Sequence, residues 1–163
     1  MNIVSRYLSR DDVIVDLNVP DKQRALEEAA LLVESHHHVN HAPVFRALWR
    51  REQSGSTGLG CGVAIPHARI AGIDEPIILL VRTKVPIRFG APDRHRVSLL
   101  LVILVPEQAT EEHLRILATV TQMFAERGFR ERIAAASGPA AIRRLVDEWT
   151  GGAPLLARAG AMR

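Results

Sequence analysis

The run Val97-Ser98-Leu99-Leu100-Leu101-Val102-Ile103-Leu104-Val105 constrains the fold more than any other part of this chain. A strand with one wet face alternates apolar and polar residues, whereas a strand apolar at nearly every position is covered on both faces. Helices must supply that cover. The sequence around the run offers them: apolar residues recur at helical spacing from Pro20-Asp21 to about Ser35, from Pro43 to Gln53, and from Glu111 to Arg127. Strands alternating with helices about one two-faced strand define a single α/β domain.

The remaining elements are set by local signals. Val13 to Leu17, Val63 to His67 and Ile77 to Thr83 read as further strands, with Pro86 to Gly90 as a short edge strand. Asp21 and Thr110 are the expected N-caps of their helices, and Gly128 is the expected stop of the long one. Leu114, Leu117, Val120, Thr121 and Phe124 are expected to form its inner face, widened by Ile116 and Met123. Phe129 to Ala136 and Pro139 to Trp149 read as two shorter helices. The domain is placed at residues 1–150, and the Gly- and Ala-rich segment 151–163 is read as a flexible tail.

Composition narrows the function classes. A length of 163 residues suits one domain with a real core, and with only 4% aromatics that core must be Leu, Ile, Val and Ala. The formal charge of +3 comes from scattered arginines, with no basic stripe interleaved with aromatics, so nucleic acid is not the expected partner. Cys61 is the single cysteine, which rules out an intrachain disulfide and points to a reducing compartment. The start of the chain lacks the pattern of a secretory signal, and Leu99 to Val105 is far shorter than the roughly 20 residues a membrane span needs. A soluble, cytoplasmic protein with no membrane insertion is the expectation.

Several candidate sites compete. Gly58-Leu59-Gly60-Cys61-Gly62 has the glycines of a nucleotide loop, but a helix precedes them and Pro66 interrupts the segment after them, the reverse of a dinucleotide fingerprint. His36-His37-His38 with His41 lacks the carboxylates or thiols at helical spacing that a metal site adds, and reads as a solvated helix end. Cys61 and His67, if joined by extended chain, lie about 20 Å apart, too far to act as nucleophile and base. His67 itself comes directly after Pro66 beside a loop of glycines and hydroxyl residues. There it fits equally a structural histidine or an imidazole that attacks an activated phosphoryl group. For the second role Arg51 supplies a guanidinium, Ser56, Thr57 and the loop amides supply donors, and His113 lies in the first turn of the long helix, where anions are favoured.

Arg51-Glu52, Ser56-Thr57-Gly58-Leu59-Gly60 and Gly62-Val63-Ala64-Ile65-Pro66-His67 together resemble the phosphorylation-site region of IIA proteins of the bacterial phosphotransferase system, fructose/mannitol class. Leu99 to Pro106 and then His113-Leu114-Arg115-Ile116-Leu117-Ala118 extend the resemblance, which spans about Val4 to Trp149. It is nearest to the nitrogen-regulatory branch. The resemblance implies a central mixed β-sheet with helices on both faces, phosphorylation of His67 at Nε2, phosphoryl binding by Arg51 and stabilisation by His113. It implies no metal or nucleotide cofactor. Its donor would be a histidine phosphocarrier protein, and its targets regulatory proteins such as potassium transporter subunits or sensor kinases. The alternatives are a carbohydrate-transport IIA passing phosphate to a IIB domain, or a non-catalytic binding module of the same fold. Two departures stand out: Ala68-Arg69 comes after His67 where many relatives have glycine, and Cys61 occupies a position that is acidic or asparagine in relatives.

Overall fold

A computed structural model describes residues 1–109 and 111–151. Thr110, the expected cap, and the segment 152–163 of the expected tail lie outside the described residues. The chain forms α1 (Ile3–Tyr7), a 3-10 turn (Arg10–Asp12), β1 (Val13–Leu17), α2 (Lys22–His37), α3 (His41–Gln53), β2 (Gly58–Gly60), β3 (Val63–Ala64), β4 (His67–Ile70), β5 (Ile77–Ile87), β6 (Val97–Pro106), α4 (Glu111–Ala125), α5 (Arg127–Ala135) and α6 (Pro139–Glu148). The strands make one six-stranded sheet in the order β1-β5-β6-β3-β2, with β4 also paired to β6. It is mixed: β5 runs antiparallel to β6, while β3 and β4 run parallel to it.

The apolar run is the centre of this sheet. Leu99, Leu101, Ile103 and Val105 of β6 point into a core shared with Val4, Ile116, Val120, Phe124, Ile133 and Val146. Leu100, Val102 and Leu104 point the other way, against Leu26, Ala30, Val33, Val44 and Leu48 of α2 and α3. Each such Leu or Ile contributes about 1.5–3 kcal/mol by leaving water, so a charged residue at any of the buried positions from Leu99 to Val105 would disrupt one layer. The doubly covered sheet expected from the sequence is the one that forms.

Four expectations need correction. The strand read as Val63 to His67 breaks after Ala64, because Pro66 has no N–H to give a ladder. Ile65 N–H instead reaches Thr57 O at 3.0 Å, and Pro66 O accepts from Ile103 N at 2.9 Å. His67 therefore opens a strand rather than closing one. The separate edge strand at Pro86 is the continuation of β5 past a register shift between Arg82 and Ile87. Gly128 does not stop the long helix; the chain turns at Glu126, whose backbone is extended, and Gly128 lies in the first turn of α5. Finally, α4 is rotated from its expected setting: Ile116, Val120, Met123 and Phe124 are buried, while Leu114 is 65% exposed and Thr121 faces water.

The histidine tract also behaves differently from a solvated helix end. Asp12 is fully buried, and its carboxylate bridges His36 Nδ1 at 2.8 Å and His37 Nε2 at 2.7 Å, with Ser9 Oγ donating at 2.8 Å. His41 pairs with Glu34 across the α2–α3 turn. The tract thus anchors α2 to the start of β1. Helix α1 is not legible by periodicity, being only five residues long, although its capping box is written as Asn2-x-x-Ser5. Asn2 Nδ2 also donates to Val146 O at 2.7 Å, which fastens α1 to the end of α6.

Candidate active site

The reactive groups converge where α3, β4 and α4 meet. A cleft of about 590 Å³ there is lined by Arg50, Arg51, Ser54, His67, Arg69 and His113 together with small alanines. A cleft of similar size, about 600 Å³, opens near Arg6, Tyr7 and the 72–77 turn, but its one imidazole, His37, is already engaged by Asp12. Chemistry, not volume, separates the two.

His67 is fixed by the break in its own strand. Because Ile65 does not continue the ladder, its carbonyl accepts a hydrogen bond from the His67 ring at Nδ1, 2.7 Å away. A carbonyl can only accept, so the ring proton resides on Nδ1 and the lone pair on Nε2. Burial, reinforced by the Arg51 guanidinium, pushes His67 below the ordinary imidazole value, against the Ile65 carbonyl and Glu52, which pull it upward. His113 faces it with ring centroids 5.7 Å apart. Burial lowers His113 as well, aided by His67 and Arg69, and its Nδ1 is buried without a hydrogen-bond partner among the described residues.

These directions predict a pH response. A group less basic folded than unfolded adds stability above its unfolded value of 6.5, and that stability is lost as pH falls below it. Both rings should titrate below 6.5 when monitored by ¹⁵N-edited NMR, and chemical stability should decline as pH drops through that value. Titration of His67 above 6.5 would contradict the burial argument.

The remaining expected site residues divide. Arg51 reaches the cleft from the end of α3; one of its Nη atoms donates to Gly55 O at 2.8 Å, which leaves other guanidinium donors free. Ser56 and Thr57 are not on the cleft wall. Ser56 Oγ donates to Phe89 O at 2.9 Å, and Thr57 Oγ1 donates to Glu52 Oε2 at 2.5 Å. Glu52 is the centre of this arrangement: its side chain is 1% exposed, takes the Thr57 N–H, and pairs with Lys22 Nζ at 3.0 Å. The loop also packs too tightly for any residue but glycine at 58, where a Cβ would stand 2.7 Å from that of Ala91.

Two contributors carry little sequence signal. Glu52 has none beyond its place next to Arg51, since a carboxylate is expected outside. Arg69, readable from the sequence only as added charge, donates to Glu107 O at 3.0 Å and Ala109 O at 2.6 Å, pinning the turn that leads into α4. It therefore helps set where His113 stands.

The sequence and the fold both have known counterparts. Residues 6–149 match the family described as "Phosphoenolpyruvate-dependent sugar phosphotransferase system, EIIA 2". The nitrogen regulatory protein of Pseudomonas aeruginosa is 40% identical over 133 residues, 80% of this chain and 86% of that protein. The nitrogen regulatory protein IIA-Ntr of Neisseria meningitidis superposes with a TM-score of 0.84 at 40% identity, covering 89% of this chain and 99% of that one. IIA mannitol of Escherichia coli shares the fold, with a TM-score of 0.71 at 18% identity over 85% and 97% of the two chains. The chain belongs to the EIIA 2 family of the phosphotransferase system. Within that family it groups with the nitrogen regulatory proteins.

Proposed function

We propose that this protein is a regulatory phosphocarrier that accepts a phosphoryl group on Nε2 of His67. The donor is a phosphohistidine on a histidine phosphocarrier protein, and the readers are cytoplasmic regulatory targets such as potassium transporter subunits or sensor kinases. The observation that carries this reading is the hydrogen bond from His67 Nδ1 to the Ile65 carbonyl, which leaves Nε2 unprotonated beside Arg51 and His113. The nitrogen regulatory relatives at 40% identity favour signalling over sugar transport.

The step balances without a further reactant. The Nε2 lone pair forms the new P–N bond as the donor's P–N bond breaks, and that electron pair returns to the donor nitrogen. Because one phosphoimidazole replaces another, transfer is close to isoenergetic and reversible. The protein's task is to position the ring and take up charge on the phosphoryl oxygens, the roles we assign to His67, Arg51 and His113. Ser56 and Thr57, expected from the sequence to contact the phosphoryl group, we assign instead to holding the wall through Phe89 O and Glu52.

The test is incubation with phosphoenolpyruvate and the upstream phosphotransferase proteins. One acid-labile phosphoryl group should appear, located on Nε2 of His67 by ³¹P–¹⁵N NMR. Arg51→Ala should slow its acquisition by about 100-fold, the scale of losing one charge-stabilising donor. An unchanged rate in that variant would remove Arg51 from the mechanism, and phosphorylation of another residue would overturn the reading.

A further inference from the structure

The helix that brings His113 to the cleft is held at its start from two sides. On one side Arg69 donates to the carbonyls of Glu107 and Ala109. On the other, the Tyr7 hydroxyl at the end of α1 donates to Oε1 of Glu112, the residue directly before His113. Successive side chains of a helix point about 100° apart. Glu112 is therefore held by α1 while His113 faces His67. The hold matters because His113 has little of its own. The Ile65 carbonyl orients His67, whereas His113 Nδ1 is buried without a hydrogen-bond partner among the described residues. Where the His113 ring stands depends on the backbone of the first turn of α4.

An anchor is useful only if it is itself fixed, and α1 is. Asn2 Nδ2 donates to Val146 O at 2.7 Å and to Trp149 O at 3.2 Å, and Arg143 Nη2 donates to Ser5 O at 2.8 Å. Val4 is fully buried in one core with Ile116 and Val120 of α4, and Tyr7 packs against the same core. The hydrogen bond to Glu112, with burial second, pushes the Tyr7 phenol above its ordinary value. The hydroxyl therefore keeps its proton and remains a donor.

We propose that Tyr7 is a positioning residue for phosphoryl transfer, holding His113 at the cleft through Glu112. The inference rests on the phosphocarrier reading and extends its machinery to a hydroxyl that does not line the cleft. A group that takes up charge in the transition state helps only when it stands at the reacting atoms, so a small displacement of the first turn of α4 costs rate. Donor association, which involves the cleft face, is left unchanged.

The experiment measures phosphoryl acceptance by the full chain from a phosphorylated histidine phosphocarrier protein, by rapid quench at increasing donor concentration. Tyr7→Phe keeps the ring against the core and removes only the hydroxyl. It should lower the maximal transfer rate on the order of tenfold and leave the half-saturating donor concentration unchanged. Glu112→Ala should do the same, and Glu112→Gln, which keeps an acceptor for the hydroxyl, should restore most of the rate. The deciding comparison is made in His113→Ala, with time points long enough for its slower transfer. There Tyr7→Phe should have no further effect, because the residue through which it acts is gone. A hydroxyl with a merely structural role would slow transfer by the same factor in both backgrounds. Tyr7→Phe as fast as the wild type, or an undiminished effect of Tyr7→Phe without His113, would overturn this inference and leave the phosphocarrier reading intact. A wild type that accepts no phosphoryl group from any such donor would overturn both.

Discussion

His67→Ala should acquire no phosphoryl group under conditions that load the wild type completely, and its fold should persist. The reason for the first is chemical. Of the two imidazoles in the cleft, only His67 has its Nδ1 proton fixed by a carbonyl, which leaves Nε2 as the lone-pair nitrogen. His113 faces it but has no hydrogen-bond partner at Nδ1 among the described residues, so nothing there selects its tautomer. The reason for the second is that His67 is only partly buried and its one side-chain hydrogen bond is to its own strand's approach, a loss of about 1 kcal/mol. Intact-mass analysis at neutral pH, with a thermal melt of the same sample, checks both halves. Retained phosphorylation in the variant would transfer the nucleophile's role to His113 and refute the assignment made from tautomer geometry.

Glu52→Ala should be the more damaging substitution for the fold, costing about 3 kcal/mol. Its carboxylate is buried and serves three donors: Lys22 Nζ, the Thr57 N–H and the Thr57 hydroxyl. Alanine leaves the Thr57 groups buried without their partner, though Lys22, about a quarter exposed, can recover water. The effect should extend to the cleft. Thr57 O receives the Ile65 N–H, and Ile65 O receives the His67 ring, so release of Thr57 loosens the chain that orients the nucleophile. Urea denaturation should therefore show a lower midpoint, and phosphoryl acceptance should slow in the folded variant. Glu52→Gln should lie between, since it keeps an acceptor and loses the charge opposite Lys22. A Glu52→Ala protein with wild-type stability would show that the Lys22–Glu52–Thr57 cluster does not hold the loop.

The site is partly legible in the sequence because two of its requirements are local. Ala-Ile-Pro-His writes a strand break directly before an imidazole, and the break is what frees the Ile65 carbonyl. Arg51 can be placed because it ends a helix whose apolar spacing is regular, and His113 because it lies at the onset of the next helix. The features that local pattern does not give depend on rotation and on partners distant in sequence. Spacing assigns Leu114 to the inner face of α4, yet Ile116, Val120 and Met123 take that side and turn Leu114 out to solvent. The helix carries apolar residues on more than one face, so spacing alone does not choose which will pack. His36 and His37 find Asp12 from 24 and 25 residues away, a match that no local pattern reveals.

The linear chain alone determined the layered architecture, since a strand apolar at nearly every position needs cover on both faces, and it determined which imidazole stands after a proline. Tertiary structure decided the rest: which ring nitrogen keeps the lone pair, which hydroxyls brace a buried carboxylate, and which face of α4 packs inward. The division has a physical cause. Burial preference is a property each residue carries with it, whereas tautomer, ion pairing and exposure depend on atoms brought close only when distant segments pack.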